Sequence, residues 1–277
     1  MLHINPPKIN PKRHFLNCIS TVHSESEKRE LEEIAPVIAK AAKEYKKLAK
    51  SSKLFTMKRH ECGISDKRMK RLYEYRMVDK GQPGRDMYDR IILSAPNGFC
   101  PFCAQRRVGS IDHYLSQSKF PELATVPINL VPCCQDCNKT KDAYFPHKRS
   151  KQLLHPYFDR VSVRWLKASI ISSNGRAIFV FSVAADTSLP RVLVRRIENH
   201  FHILELADLY SIHATAELRD IDFQLETIRS VAGAKGVKAH LLDQAKSREH
   251  SNPNSWKTAA YYAMYESKDY CEGRLKC

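Results

Sequence analysis

The chain has 277 residues, of which 43% are hydrophobic and 27% charged, enough to bury a substantial core and ordinary for a soluble globular protein. No stretch reaches the roughly 20 consecutive apolar residues of a membrane span, and the opening "MLHINPPKINPKRHF" has no apolar core, so neither a spanning segment nor a secretory signal is expected and the protein reads as cytosolic. The formal net charge is +16, with +9 over residues 1–90, +4 over 91–160 and +3 over 161–277. A basic field of this size attracts polyanions, nucleic acid foremost, although a solubilising surface would carry the same charge.

In chain order, residues 1–23 read as an irregular, extended arm. "SESEKRELEEIAPVIAKAAKEYKKLAKSSK" follows, with Ser24 or Ser26 as N-cap, acidic first turns and lysines at its end, as the helix dipole favours. Leu31, Ile34, Ile38, Ala42, Tyr45 and Leu48 recur at helical spacing and predict an amphipathic helix. "SDKRMKRLYEYRMV" is a shorter, strongly basic helix candidate, "GQPGRD" breaks the pattern, and "MYDRIILSAP" leads into a cysteine-rich segment. Beyond Pro156 the texture changes. "VSVRWLKASII" and "RAIFVFSVAA", separated by "SSNGR", predict a β-hairpin. Helical patterns return in "PRVLVRRIENHFHILELADLY", "HATAELRDIDFQLETIRSV", "VKAHLLDQAKSRE" and "SWKTAAYYAMYES". The expected organisation is a basic, mainly helical region over 1–90, a compact module over 91–160, and a hairpin with helices over 161–277.

Five of the nine cysteines fall between Cys100 and Cys137. In a reducing compartment such clustering argues for metal rather than disulfides. Cys18 and Cys62 are isolated and read as packed residues, and Cys271 with Cys277 could form a loose pair. Cys100-Pro-Phe-Cys103 and Cys134-Gln-Asp-Cys137 are two C-x-x-C knuckles. Each offers two thiolates from one tight turn, and four thiolates suit tetrahedral Zn²⁺. A redox C-x-x-C would need one motif in a βαβ context, which is missing. Cys133 could replace Cys134 in the second knuckle, but the symmetry of the two units favours Cys134.

Between the knuckles, "VGSIDHYLSQSKF" reads as a strand ending near Ile111 with Asp112 and His113 at its edge. "PINLVP" carries Asn129, and "CCQDCNKTKDAYF" should start a helix near Cys137. A hairpin followed by a helix is a ββα unit, on which Asp112, His113, Asn129 and Asn138 can converge. Each has a plainer reading: a hydrogen-bonded histidine, or an asparagine that caps a turn or helix. Their ordered occurrence between two knuckles is a stronger signal than any one of them.

With that order, "CPFC", "IDH", "NL" and "CQDCNKTK", the segment resembles the HNH endonuclease family, also called ββα-metal or His-Me finger nucleases, in its zinc-stapled subgroup. The resemblance covers residues 100–141. It implies an α+β chain built around a zinc-stapled ββα-metal module that hydrolyses DNA phosphodiester bonds. His113 is implied as general base, an imidazole whose unperturbed pKa lies near neutrality. Asp112 is implied as ligand of a catalytic divalent cation, and Asn138, where many members carry histidine, as the second. Oxygen donors of this kind suit Mg²⁺ or Mn²⁺. Asn129 is implied as the residue that holds the loop behind His113. Arg106, Arg107, Lys119, Lys139 and Lys141 are candidates for phosphate contacts, which position nucleic acid without reading its sequence. More loosely, "DHYLSQSKFPELATVPINLVPCCQDCNKTK" with "HPYFD" is similar to HNH nuclease subunits of Septu-type and retron-associated anti-phage systems, which implies a separate ATPase partner; no G-x-x-x-x-G-K-[ST] occurs here. A zinc-stapled binding or interaction subunit without catalysis is the alternative. His147 and His155 read as structural.

Overall fold

The computed structural model describes residues 1–184 and 188–275. The chain is mixed helix with small antiparallel sheets, and it divides into two compact units, Met1–Arg160 and Val161–Cys277. Cys277, the expected partner of Cys271, lies outside the described residues. No helix among the described residues is long and apolar enough to cross a membrane.

The first unit opens with extended chain. Leu2 N–H donates to the Pro101 carbonyl at 2.7 Å and Ile4 N–H to that of Pro156 at 3.0 Å. The expected irregular arm nevertheless contains a helix, α1 (Pro11–Ile19). Pro11 takes the first helical turn, where its missing N–H costs nothing, and the Asn10 side chain caps the Arg13 N–H. Pro11 therefore starts the helix rather than ending it. Helix α2 (Glu25–Lys50) is capped by Ser24 and buries Leu31, Ile34, Ile38, Ala42 and Tyr45. Helix α3 (Asp66–Tyr73) runs into a single wide π turn over Glu74–Val78. The "MYDRIIL" of "MYDRIILSAP", read only as a lead-in, belongs to helix α4 (Arg85–Leu93).

Strand β1 (Ser110–His113) pairs antiparallel with β2 (Leu130–Cys133), setting Asp112 opposite Val131 and His113 opposite Leu130. Asp112 and His113 thus lie within the strand rather than past its end. Helix α5 (Gln135–Lys141) begins two residues before the expected Cys137, because the Cys134 side chain is its N-cap. Tyr73, Met77, Met87 and Ile91 share one buried cluster with Ile111, Ala124 and Leu130, so α3, the π turn and α4 form the apolar backing of the hairpin.

In the second unit, β3 (Leu166–Ser173) and β4 (Arg176–Val183) form the expected hairpin, closed by Asn174 and Gly175 at φ 51° and 76°. Both central residues at positive φ match the right-handed twist of a two-residue turn. Helices α6 (Arg191–Ile203), α7 (Leu206–Ser251), α8 (Trp256–Glu266) and α9 (Lys268–Cys271) follow. Helix α7 is broken at Gly233 (φ 64°, ψ −167°). Its Phe223 and Val231 are exposed, whereas Phe179 and Phe181 of β4 face inward. The Asn254 side chain accepts from Trp165 N–H at 2.7 Å and fastens the entry to β3.

His14 of α1 is buried, and burial holds its pKa down at about 4, with Asp86 opposing. Between there and the ordinary 6.5 the unfolded chain binds a proton that the folded chain rejects, so stability must fall as pH drops through that window. The melting temperature is expected to fall between about pH 7 and about pH 5, and His14→Leu to flatten the dependence. An unchanged pH slope in the variant would remove His14 as its source.

Candidate functional site

The two knuckles meet. The sulfurs of Cys100, Cys103, Cys134 and Cys137 all lie within 4.8 Å of one another and all four residues are buried. Four thiolates at about 2.3 Å from a tetrahedral zinc sit about 3.8 Å apart, and the Cys103–Cys134 separation is 4.0 Å. Backbone N–H groups of Arg106 and Cys137 point at Cys103 Sγ and Cys134 Sγ, each at 3.4 Å, as in a tight thiolate turn. This buried cluster can hold a metal such as zinc. Cys133 belongs to β2, its sulfur 4.0 Å from that of Cys100 and outside the mutually close set.

Beside the staple opens a cleft of about 750 Å³, lined by Ser110, Asp112 and His113 of β1, Ser116 to Ser118 of the loop after β1, Asn138 and Lys139 of α5, and Asp66, Lys67 and Lys70 of α3. Asp112 is 2% exposed. One carboxylate oxygen, Oδ1, accepts from Lys141 Nζ at 3.0 Å, and the other, Oδ2, has no hydrogen-bond partner among the described residues. Burial raises the Asp112 pKa and the Lys141 ammonium works against that rise.

His113 Nε2 donates to the Ala124 carbonyl at 2.8 Å. A carbonyl only accepts, so this contact keeps the ring proton on Nε2 and leaves Nδ1 as the basic nitrogen. Burial holds the imidazole neutral by lowering its pKa to about 4, and Tyr73 packs edge-on against it with ring centroids 4.5 Å apart. Asn129, fully buried, accepts from Leu115 N–H at 2.8 Å and donates to the Leu115 and Leu123 carbonyls at 2.9 and 3.3 Å. Leu123 precedes Ala124, so the amide of Asn129 sets the carbonyl that orients His113. Asn138 turns its amide nitrogen inward, 3.2 Å from Ser110 Oγ, which leaves its amide oxygen for a ligand.

The expected basic residues scatter. Lys139 lines the cleft, Arg107 and Lys119 are exposed, and Arg106 pairs with Asp136 at 2.8 Å beside the first knuckle. Lys141 is not a surface residue: it is 2% exposed, and its ammonium also donates to the His113 carbonyl at 2.9 Å. Its place is inside, tying α5 to β1, because the buried Asp112 carboxylate needs a counter-charge. His155 is fully buried against Tyr45, with Tyr45 Oη 2.8 Å from Nε2, and His147 is exposed. The contributions of α3 were not foreseen. Its basic character was visible, but nothing in residue spacing links it to a hairpin so much later in the chain.

The chain is similar to Protein ea31 of Escherichia phage lambda. The two are 28% identical over 262 residues, spanning 86% of this chain and 88% of that protein. No family model and no solved structure matches. The name of this relative describes no chemistry.

Two outcomes test the geometry. Cys103→Ser is expected to lose zinc and solubility on metal analysis of the purified protein, whereas Cys133→Ser should keep its metal, because structural zinc contributes folding free energy directly. A Cys103→Ser protein with a full equivalent of zinc would remove the staple. Lys141→Met is expected to cost about 3–5 kcal/mol in denaturant unfolding by leaving Asp112 buried and unpaired, with much of that recovered in Asp112→Asn/Lys141→Met. Equal losses in the single and double variants would mean the pair is not the source.

Proposed function

We propose that this chain is a metal-dependent endonuclease of the HNH, or ββα-metal, type that hydrolyses DNA phosphodiester bonds. The observation that carries the reading is that Asp112, His113 and Asn138 open onto one cleft from a hairpin and helix flanked by the four-thiol cluster. A neutral imidazole whose proton is held on Nε2 suits a general base. His113 Nδ1 would take the proton of a water that attacks phosphorus, the bond from phosphorus to the 3′ oxygen would break, and that oxygen would leave as a hydroxyl after gaining a proton.

The residues present fit a hard divalent cation. Asp112 Oδ2 is a buried carboxylate oxygen without a partner among the described residues, and Asn138 adds an amide oxygen. Such donors favour Mg²⁺ or Mn²⁺. When bound, the cation would offset charge on the phosphate oxygens and on the leaving oxygen. Asn129 acts at one remove, by holding the loop whose Ala124 carbonyl orients His113.

A second reading is favoured by burial: Asp112 is 2% and His113 8% exposed. In it the module stays silent until a partner docks. A place in anti-phage defence beside a separate ATPase rests on the motif resemblance alone.

Supercoiled plasmid incubated with purified protein and Mg²⁺ or Mn²⁺ tests the proposal. Wild type is expected to nick or linearise DNA, and His113→Ala to be slower by about 10²–10⁴-fold, the usual contribution of a positioned base. Equal cleavage by both proteins would sink the assignment. RNA in a parallel reaction tests whether the cleft distinguishes the sugar.

A further inference from the structure

Helix α3 has two faces. Met69, Leu72 and Tyr73 are buried, and Tyr73 rests against the His113 ring. Lys67 and Lys70, one turn apart, are exposed and line the same cleft as Asp112, His113 and Asn138. One side of the helix is thus fastened to the base while the other presents ammonium groups to the space that the base faces.

The charges lining the cleft do not cancel. Asp66 is held by Arg59, with Nη1 3.0 Å from Oδ2, and Asp112 by Lys141. Lys70 lies 3.6 Å from Glu74 in a pair whose side chains are 56% and 43% exposed, an arrangement worth little in water. Lys67 has no ion pair among the described residues. Lys67, Lys70 and Lys139 are therefore left against Asp142. The hydroxyls of Ser116 and Ser118 add uncharged hydrogen-bonding groups to the same lining.

We propose that α3 is a phosphate clamp: Lys67 and Lys70 bind backbone phosphates flanking the bond presented to His113, so the substrate is gripped by a helix outside the hairpin–helix as well as by Lys139 within it. This rests on the reading of the cleft as a nucleic-acid site. Because Tyr73 belongs to the same short helix, the lysines keep a set distance from the imidazole. Recognition is of the backbone. It strengthens binding to every sequence alike and carries no base preference.

The test uses the full chain carrying His113→Ala, so that the DNA stays intact, and measures duplex affinity across a potassium chloride series with Mg²⁺ present. Each phosphate contact contributes about 0.9 to the slope of log affinity against log salt. Adding Lys67→Gln and Lys70→Gln is expected to lower that slope by about 1.8, equally for unrelated sequences, with zinc content and circular dichroism unchanged. Lys46→Gln with Lys47→Gln, exposed on α2 and outside the cleft, should leave the slope as it was. An unchanged slope in the α3 variant, or the same loss in the α2 variant, overturns the clamp. Cleavage by wild type with an unchanged α3 slope defeats the clamp alone. A lowered slope without cleavage under any condition defeats the nuclease reading and leaves the clamp as a binding surface. No DNA binding by either protein removes both.

Discussion

Lys141 reaches back from the last turn of α5 to β1, where its ammonium joins the Asp112 carboxylate and the His113 carbonyl. Everything at the candidate site hangs on this clasp. Two four-residue strands and a seven-residue helix bury too little surface to hold a geometry unaided. The four sulfurs close one end of the unit and the lysine closes the other. A buried ion pair is a weak source of net stability, because desolvation offsets most of its attraction, but it leaves little choice of arrangement. With one oxygen of Asp112 occupied by Lys141, only the other remains for a ligand.

The apolar backing comes from outside the hairpin. Met77, Met87 and Ile91 pack with Ile111 and Leu130, and Tyr73 stands against His113. A free imidazole in water would titrate near neutrality and turn freely. Here its proton is assigned by one carbonyl, its charge is disfavoured by burial, and its plane is limited by an aromatic edge. The carbonyl and the aromatic edge come from segments far apart in the chain, Ala124 and Tyr73.

Much of this was legible in the sequence, for reasons specific to the residues. The knuckles declare themselves by spacing, the β3–β4 hairpin by Asn174-Gly175 between alternating apolar runs, and α2 by its serine cap and apolar stripe. Helix α1 was missed because Pro11 reads as a breaker unless Asn10 is recognised as the cap that makes it a first-turn residue. Lys141 was misread because a lysine is by default a surface residue, and only the burial of Asp112 beside it reverses that default. The part played by α3 has no local signature. Its lysines resemble any solvated basic face until the fold brings them to the cleft.

The second half of the connection from β1 to β2, built on two 3-10 turns at Pro121–Leu123 and Pro127–Asn129, lies in the interior. Residues 120–130 are all buried, and Asn129 spans them with bonds to Leu115 and Leu123. Surface loops absorb insertions because nothing counts their residues. This one is counted, since the Ala124 carbonyl must arrive under His113 while Asn129 still reaches Leu123. The segment therefore behaves as a spacer of set length. A single added or lost residue would act on the imidazole without touching it.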